Sequence, residues 1–169
     1  MFWYTSDMTK FTQKYVVARF SKELPDEFEF SMKDWPLHVT LADVFAVDGE
    51  WTSLLKDLNL SLKNEKAFFS QTIAKDFFGD DGSTKVILIE NTAELRNLHE
   101  TIISVLEKHG AVFNSPEYVN AGFKPHVTEQ AESRLEIGDI VEFRSLTLVD
   151  MFPNKDPYQR KILGTVHLK

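Results

Sequence analysis

The sequence predicts an α+β fold made of two halves that face each other across a cleft. Strand-like and helix-like segments alternate along the chain, and each half contains one copy of the tripeptide His-Val-Thr, at 38–40 and 126–128. No low-complexity tract or Pro/Gly-rich linker divides the 169 residues. We therefore expect one bilobal domain over residues 1–169, with an internal duplication.

The first half is predicted to contain two strands followed by a helix. The apolar runs KYVVARF (14–20) and LHVTLADVF (37–45) are rich in β-branched residues, as strands are. The segment EWTSLLKDLNLSL (50–62) instead spaces its Trp and Leu residues as one face of a helix does. A β-hairpin is expected next, because the turn signal GDDGS separates AFFSQTIAKDFF (67–78) from TKVILIE (84–90).

The second half should begin with a helix over 91–110. Asn91 is a candidate N-cap, with Glu94 placed to complete a capping box. Leucine, isoleucine and valine form an apolar stripe up to Gly110, which lies where a left-handed residue ends a helix. After HVTEQ, two more strands are predicted in 140–152 and 160–168.

Composition excludes several functional classes. The net charge is −7, and the 19 Lys and Arg residues are scattered, so we expect no bulk binding of DNA or RNA. A small anionic ligand or a single RNA end remains compatible with this charge. No apolar window is long enough to cross a membrane, and the start of the chain (1–15) lacks a signal-peptide pattern. With no Cys, thiolate zinc sites are excluded and a cytoplasmic location is expected. A monomer is the default expectation, because the sequence carries no signal for an oligomer.

The two His-Val-Thr copies predict one site. Alternate side chains of a strand share a face, so His38 and Thr40 project together, roughly 6.5–7 Å apart along the strand, as do His126 and Thr128. A proline just before each copy favours extended backbone: Pro36 and Pro125. If the strands are neighbours, two imidazoles and two hydroxyls converge.

That set of groups suits a phosphodiester. One histidine can act as general base and the other as general acid, because imidazole titrates near neutrality. Threonine hydroxyls can donate to the non-bridging phosphate oxygens. The motifs contain no carboxylate cluster for Mg²⁺, so neither a metal nor another cofactor is expected. The alternative is that each His-Val-Thr is an ordinary half-buried strand pair.

The other histidines predict structural roles. His99 should lie at the edge of the helix stripe, and His109 at the helix C-terminus, where the dipole favours a cation. His167 lies in the last strand and is interpreted as structural. A zinc site that adds a third histidine to the motif pair has no supporting spacing.

The motifs resemble those of the 2H phosphoesterase superfamily, two H-Φ-[S/T]-Φ sequences in which Φ is apolar. HVTL (38–41) matches in full, whereas HVTE (126–129) departs at Glu129. The order of elements is most similar to that of RNA 2′,3′-cyclic phosphodiesterases, also called 2′–5′ RNA ligase-like proteins. The likeness in order covers nearly the whole chain, but its specific part is eight residues.

This resemblance implies two antiparallel sheets facing a central cleft, with the helices outside. It also implies metal-independent chemistry on a nucleotide or RNA end that bears a cyclic phosphate, or on a 2′–5′ linkage. By analogy, His126 would activate the attacking water and His38 would protonate the leaving ribose oxygen. Thr40 and Thr128 would hold the phosphate.

Several residues near the motifs are candidate substrate contacts. An aromatic ring could stack on a base, and a cation could attract the phosphate. Packing, loop anchoring or a solvated surface is the alternative role for each of them: Phe45, Tyr118, Phe123, Lys124, Tyr158 and Arg160.

Three other functional interpretations remain open at this stage. The same two histidines could degrade 2′–5′ oligonucleotides or cyclic dinucleotide signals. The cleft could bind a nucleotide without turnover, although backbone amides, Lys or Arg would serve that purpose better. The domain could also be purely structural.

Overall fold

The described residues form an α+β structure, as the sequence predicts. The computed structural model describes residues 11–131 and 133–169. We number its ten strands and two α-helices in chain order: β1 Tyr15–Phe20, β2 Glu29–Ser31, β3 His38–Ala46, α1 Trp51–Leu62, β4 Phe68–Phe78, β5 Thr84–Ile89, α2 Ala93–Lys108, β6 Val112–Phe113, β7 His126–Thr128, β8 Ile140–Phe143, β9 Ser145–Asp150 and β10 Gln159–His167. None of the helices described is long and apolar enough to span a bilayer.

The strands follow one continuous path. Their order is β2-β10-β9-β1-β3-β7-β5-β4-β8, with β6 also paired to β3, and the pairings are antiparallel. The resemblance implies two sheets. Here the strands form two structural halves, which do not coincide with the halves of the sequence: the first is β2-β10-β9-β1-β3 and the second is β7-β5-β4-β8. The two structural halves are joined edge to edge by the pairing of Val39 with Val127. The junction places both His-Val-Thr segments at the middle of the strand order.

The main core lies between the helices and one face of the strands. Leucines of α1 such as Leu54 and Leu58 pack there with Leu95 and Ile102 of α2. A second, smaller apolar cluster occupies the other face of the first half, and its buried members alternate with main-core residues along β1: Val16, Ala18 and Phe20. In the first structural half, the sheet face that carries motif histidine His38 is therefore apolar.

The second helix is capped one residue later than predicted. Thr92, not Asn91, is the N-cap, and its hydroxyl accepts a hydrogen bond from the Leu95 N–H at 3.2 Å. Glu94 lies in the first turn, where a negative charge favours the helix dipole. Gly110 has a φ of +71°, so the predicted left-handed residue after the helix is present.

The predicted strand over 140–152 is in fact two strands that belong to different halves. β8 pairs with β4, whereas β9 pairs with β1 and β10. The chain crosses between the halves at Arg144, which is not a turn-forming residue and gives no sequence signal for a break. The short strands β2 and β6 were also not predicted, and residues 1–10, from the segment expected not to be a signal peptide, lie outside the described residues.

Candidate active site

The pairing of β3 with β7 brings the two motifs together. Val39 lies opposite Val127, so the antiparallel register places His38 opposite Thr128 and Thr40 opposite His126. The two valines are buried in the main core, and the other four side chains project from the opposite face. The expected juxtaposition of the two strands is therefore present.

The short strand β7 is held on both sides. Its second edge pairs with β5, where Val86, Ile87 and Leu88 lie opposite Thr128, Val127 and His126. A three-residue strand with partners on both edges keeps its side chains in one register. Motif two is therefore positioned by the sheet rather than by a loop.

Both motif histidines are oriented by the same main-chain contact. Nδ1 of His38 lies 2.8 Å from the Pro36 carbonyl oxygen, and Nδ1 of His126 lies 2.8 Å from the Lys124 carbonyl oxygen. A carbonyl can only accept, so Nδ1 carries the proton and donates in both rings. Nε2 is then the nitrogen that each ring offers to a ligand.

His38 lies against an aromatic wall. Its ring is 4.6 Å from the Trp35 ring and 5.7 Å from the Phe20 ring, measured between centroids. Burial lowers the pKa of His38 below 6.5, the charge of His126 lowers it further, and the contact to Pro36 opposes them. The neutral imidazole is therefore the favoured form of His38 before a ligand binds.

His126 has a different electrostatic environment. Phe78 meets its ring edge-on at 4.7 Å, and burial again lowers its pKa. The Asp43 carboxylate acts in the opposite direction and raises that pKa, whereas the Lys124 ammonium lowers it. Lys124 itself forms an ion pair with Asp76 at 3.2 Å, so its charge is partly compensated.

A cavity of about 290 Å³ opens beside Thr40 and His126. Its walls combine aromatic rings with a few polar groups, which is typical of small-molecule sites. Three of the predicted substrate contacts line it: Tyr118, Phe123 and Lys124. The other lining residues are Leu41, Asp43, Phe78, Gly79 and His99.

His99 proves to be a buried structural residue and not an edge residue. Its Nδ1–H donates to the Leu41 carbonyl at 2.6 Å, and its Nε2 accepts from the Asn120 N–H at 2.9 Å. This pairing requires the neutral ring, and burial lowers its pKa accordingly. The ring also stacks on Phe123 with centroids 3.9 Å apart. His99 thus ties α2 and β3 to the loop that leads into motif two.

Within that loop, a glycine allows two backbone segments to lie in close contact. A Cβ added to Gly122 would lie 1.7 Å from the Glu117 carbonyl oxygen, so only glycine allows the two backbones to approach. The close approach joins two 3₁₀ turns, 116–118 and 120–122, which carry Tyr118 at the cavity.

Three of the candidate substrate contacts lie elsewhere. Phe45 is fully buried in the main core between Tyr15 and Phe113. Tyr158 is exposed beside β2, where its carbonyl accepts from the Met32 N–H, and it does not line the cavity.

Arg160 is buried and not solvated. One of its terminal nitrogens, Nη1, donates to the carbonyl oxygens of Met151, Pro157 and Gln159 at 2.7–3.0 Å. Its guanidinium lies 5.9 Å from the centre of the Trp35 ring. Arg160 therefore supports the aromatic wall behind His38 and does not contact the cavity.

The departure from the motif pattern at Glu129 lies away from the two motif histidines. Glu129 lines a separate small depression with Val127 and Arg134. Because side chains alternate along a strand, this is the face opposite to that of His126 and Thr128.

Sequence reasoning missed Asp43, Phe78 and Trp35. The register between β1 and β3 shifts twice between Thr40 and Phe45, as it does at a β-bulge. Bulges redirect side chains next to functional sites, and here Asp43 lines the cavity while Phe45 enters the core. A run of apolar residues gives no signal for such a shift. The adjacency of Trp35 to motif one was a usable signal.

The remaining two histidines contact carboxylates outside the site. His109 Nε2 lies 2.8 Å from an Asp57 carboxylate oxygen and links the two helices, and His167 Nε2 lies 3.3 Å from Glu23. Within residues 11–131 and 133–169, no group of three or more His, Asp or Glu side chains is arranged to hold a metal ion.

The profile of the 2′-5′ RNA ligase superfamily matches residues 13–141, about three quarters of the chain. The chain belongs to this superfamily. The resemblance to 2H phosphoesterases is thereby confirmed. A comparison with curated protein sequences gives no match.

Solved structures share the superfamily fold. The crystal structure of Escherichia coli LigT complexed with 3′-AMP has a TM-score of 0.56 and 17% identity, covering 93% of this chain and 98% of that one. The crystal structure of TT0787 from Thermus thermophilus gives a TM-score of 0.58 and 15% identity, with 92% and 97% covered. A further phosphoesterase structure gives 0.56 and 16%, with 93% and 99% covered.

Proposed function

We propose that this member of the superfamily is a phosphodiesterase that hydrolyses 2′,3′-cyclic phosphates of nucleotides or RNA ends, or a related 2′–5′ bond, without a metal ion. The observation that supports this most is the paired imidazoles. Two histidines lie on one face of neighbouring strands, and each has Nδ1 fixed by a carbonyl and Nε2 left for substrate. A site that only binds phosphate needs no such pair.

The reaction follows from these groups. The neutral histidine accepts a proton from water at Nε2 while the water oxygen forms a bond to phosphorus. The bond from phosphorus to one ribose oxygen breaks, and the protonated histidine gives its Nε2 proton to that oxygen. Thr40 and Thr128 donate hydrogen bonds to the non-bridging oxygens, where negative charge accumulates. The product is a nucleoside monophosphate.

The roles of general base and general acid can be assigned to the two histidines in two ways. The family resemblance makes His126 the base and His38 the acid. The charges around the pair favour the reverse, because the Asp43 carboxylate raises the pKa of His126. Burial lowers the pKa of both rings, but at His126 the Asp43 carboxylate opposes this shift, whereas at His38 the charge of His126 adds to it.

Turnover of the four nucleoside 2′,3′-cyclic monophosphates in the presence of EDTA tests the proposal. We expect at least one to be converted to a single monophosphate, and the 2′- or 3′-isomer identifies which ribose oxygen leaves. The LigT structure that contains 3′-AMP supports a nucleotide product for this fold. Activity that is lost in EDTA and restored by a divalent cation would contradict the metal-free mechanism. Binding without turnover on these substrates, 2′–5′ oligonucleotides and cyclic dinucleotides would favour a binding module.

The dependence of kcat/KM on pH should be bell-shaped with its maximum below pH 6.5. Burial lowers the pKa of both His38 and His126 from 6.5, and the maximum lies midway between the two values. As pH rises above the higher pKa, the acid loses its proton and kcat/KM should fall about tenfold per pH unit. Initial rates from pH 4.5 to 8.5 at low substrate concentration measure this. A plateau that extends above pH 8 would contradict it.

A further inference from the structure

The mouth of the cavity beside His126 is acidic. Among the described lining residues, Asp43 and Lys124 carry full charges at neutral pH, and Asp76 forms an ion pair with Lys124 at 3.2 Å. Asp81 does not line the cavity but lies beside it at the tip of the β4–β5 hairpin, where its Oδ1 is 3.6 Å from the place that a Cβ of the lining residue Gly79 would occupy. The charges of the lining residues Asp43 and Lys124 cancel, so the negative charge at the mouth comes from the two neighbouring carboxylates, Asp76 and Asp81.

The cavity beside Thr40 and His126 is the open side of the motif pair. On the other side of the motif pair, the ring of His38 packs against Trp35 and Phe20. With the phosphate held by the four motif residues, the nucleoside portion extends into the cavity beside Thr40 and His126. A volume of about 290 Å³ lies just below the range for ligand pockets, roughly 300–1,000 Å³. It suits one nucleoside and not several nucleotides.

We propose that the preferred substrate is a nucleoside 2′,3′-cyclic monophosphate whose single negative charge is the scissile phosphodiester, and that Asp43 and Asp81 reject substrates with further phosphates. This inference rests on the proposed function. A 5′-phosphate, or the phosphates of an RNA chain, would leave through the acidic mouth, where like charges repel. Binding to a phosphate chain requires cations along its path, and the Lys124 charge is already partly compensated by its ion pair with Asp76.

Three substrates with the same reacting group test this proposal: adenosine 2′,3′-cyclic phosphate, its 5′-phosphorylated form, and a ten-nucleotide RNA that ends in adenosine 2′,3′-cyclic phosphate. At low salt, kcat/KM for the first should exceed that for either of the others by at least tenfold. The ratio should shrink as salt is raised, because the repulsion is screened. Variants of the two aspartates, with a matched control, then test whether these carboxylates cause the preference for the mononucleotide.

Asp81→Asn should lower the ratio of kcat/KM for adenosine 2′,3′-cyclic phosphate to kcat/KM for the RNA. The double variant Asp43→Asn/Asp81→Asn should lower this ratio further. Asparagine keeps the oxygens that accept from the Val44 and Ser83 N–H groups, so the local turns are retained. The control is Asp26→Asn, which removes the same charge beside a separate depression with Thr165 and His167, and should leave the ratio unchanged.

The outcomes separate this inference from the proposed function. RNA turned over as well as or better than the mononucleotide, with rates that fall as salt rises, overturns the inference and leaves the function standing. A preference for the mononucleotide that neither salt nor the aspartate variants change overturns the role of the two carboxylates. Turnover of none of the three at any salt concentration overturns the inference; if the other nucleoside 2′,3′-cyclic phosphates and 2′–5′ oligonucleotides are also not turned over, the proposed function is wrong as well.

Discussion

Replacing either His38 or His126 with alanine should lower kcat by about 10²- to 10⁴-fold, the usual contribution of general acid–base catalysis. Each substitution removes the Nε2 on its side of the proposed phosphate site. The expected loss is in kcat and not mainly in KM, because the threonine hydroxyls that hold the phosphate remain. The measurement is kcat and KM on the best cyclic monophosphate, with circular dichroism to show that the fold is retained.

His167→Ala is the matched control for this pair. The side chain of His167 is exposed, and the polar contact described for it is with the Glu23 carboxylate, so its loss should change neither kcat nor stability appreciably. If His38→Ala and His126→Ala both retain rates within a few-fold of the wild type, the two-histidine mechanism is wrong.

A substrate with a good leaving group then separates acid from base. A nucleotide p-nitrophenyl ester needs no proton on its departing oxygen, so the variant that lacks the general acid should recover most of its rate. The variant that lacks the base should not recover. Recovery by His126→Ala would support the assignment favoured by Asp43, and recovery by His38→Ala would support the assignment implied by the family resemblance.

The periodic parts of this structure were predictable from sequence, and so was the pairing of the motifs. A strand period of two fixes His38 and Thr40 on one face whatever the tertiary packing, and the same holds for His126 and Thr128. The apolar spacing of α1 and α2 similarly requires a buried helix face. These features depend on neighbours in sequence, which is why reading the chain recovers them.

The features that could not be predicted from the sequence depend on contacts between distant segments. The register shifts of β3 arise from its pairing with β1 and redirect Asp43 and Phe45. The burial of Arg160 depends on carbonyl groups of the 151–159 segment and on Trp35. For Arg160, the solvated surface that its residue type favoured is wrong, because the side chain is buried. For Phe45, packing is confirmed and a substrate contact is not, because the ring lies in the main core.

Phe45→Ala should destabilise the protein by about 3–5 kcal/mol, the range for truncating a buried phenylalanine. Phe45 has no exposed surface, and its ring lies 5.9 Å from that of Tyr15 and 6.3 Å from that of Phe113. Because it does not line the cavity, KM should be unchanged at temperatures where the variant is folded. Urea unfolding gives the stability, and steady-state kinetics give KM.

Tyr118→Ala is expected to show the opposite pattern. Tyr118 lines the cavity and is 54% exposed, so its truncation removes little buried surface and should leave the free energy of unfolding nearly unchanged. If its ring stacks on the base, the loss is about 1–3 kcal/mol of binding, or roughly a five- to 150-fold rise in KM. The two aromatic residues both lie close to a motif in sequence but differ in burial, so the pair of variants tests the position of the cavity. A rise in KM for Phe45→Ala with unaltered stability would contradict both the bulge geometry and the proposed pocket.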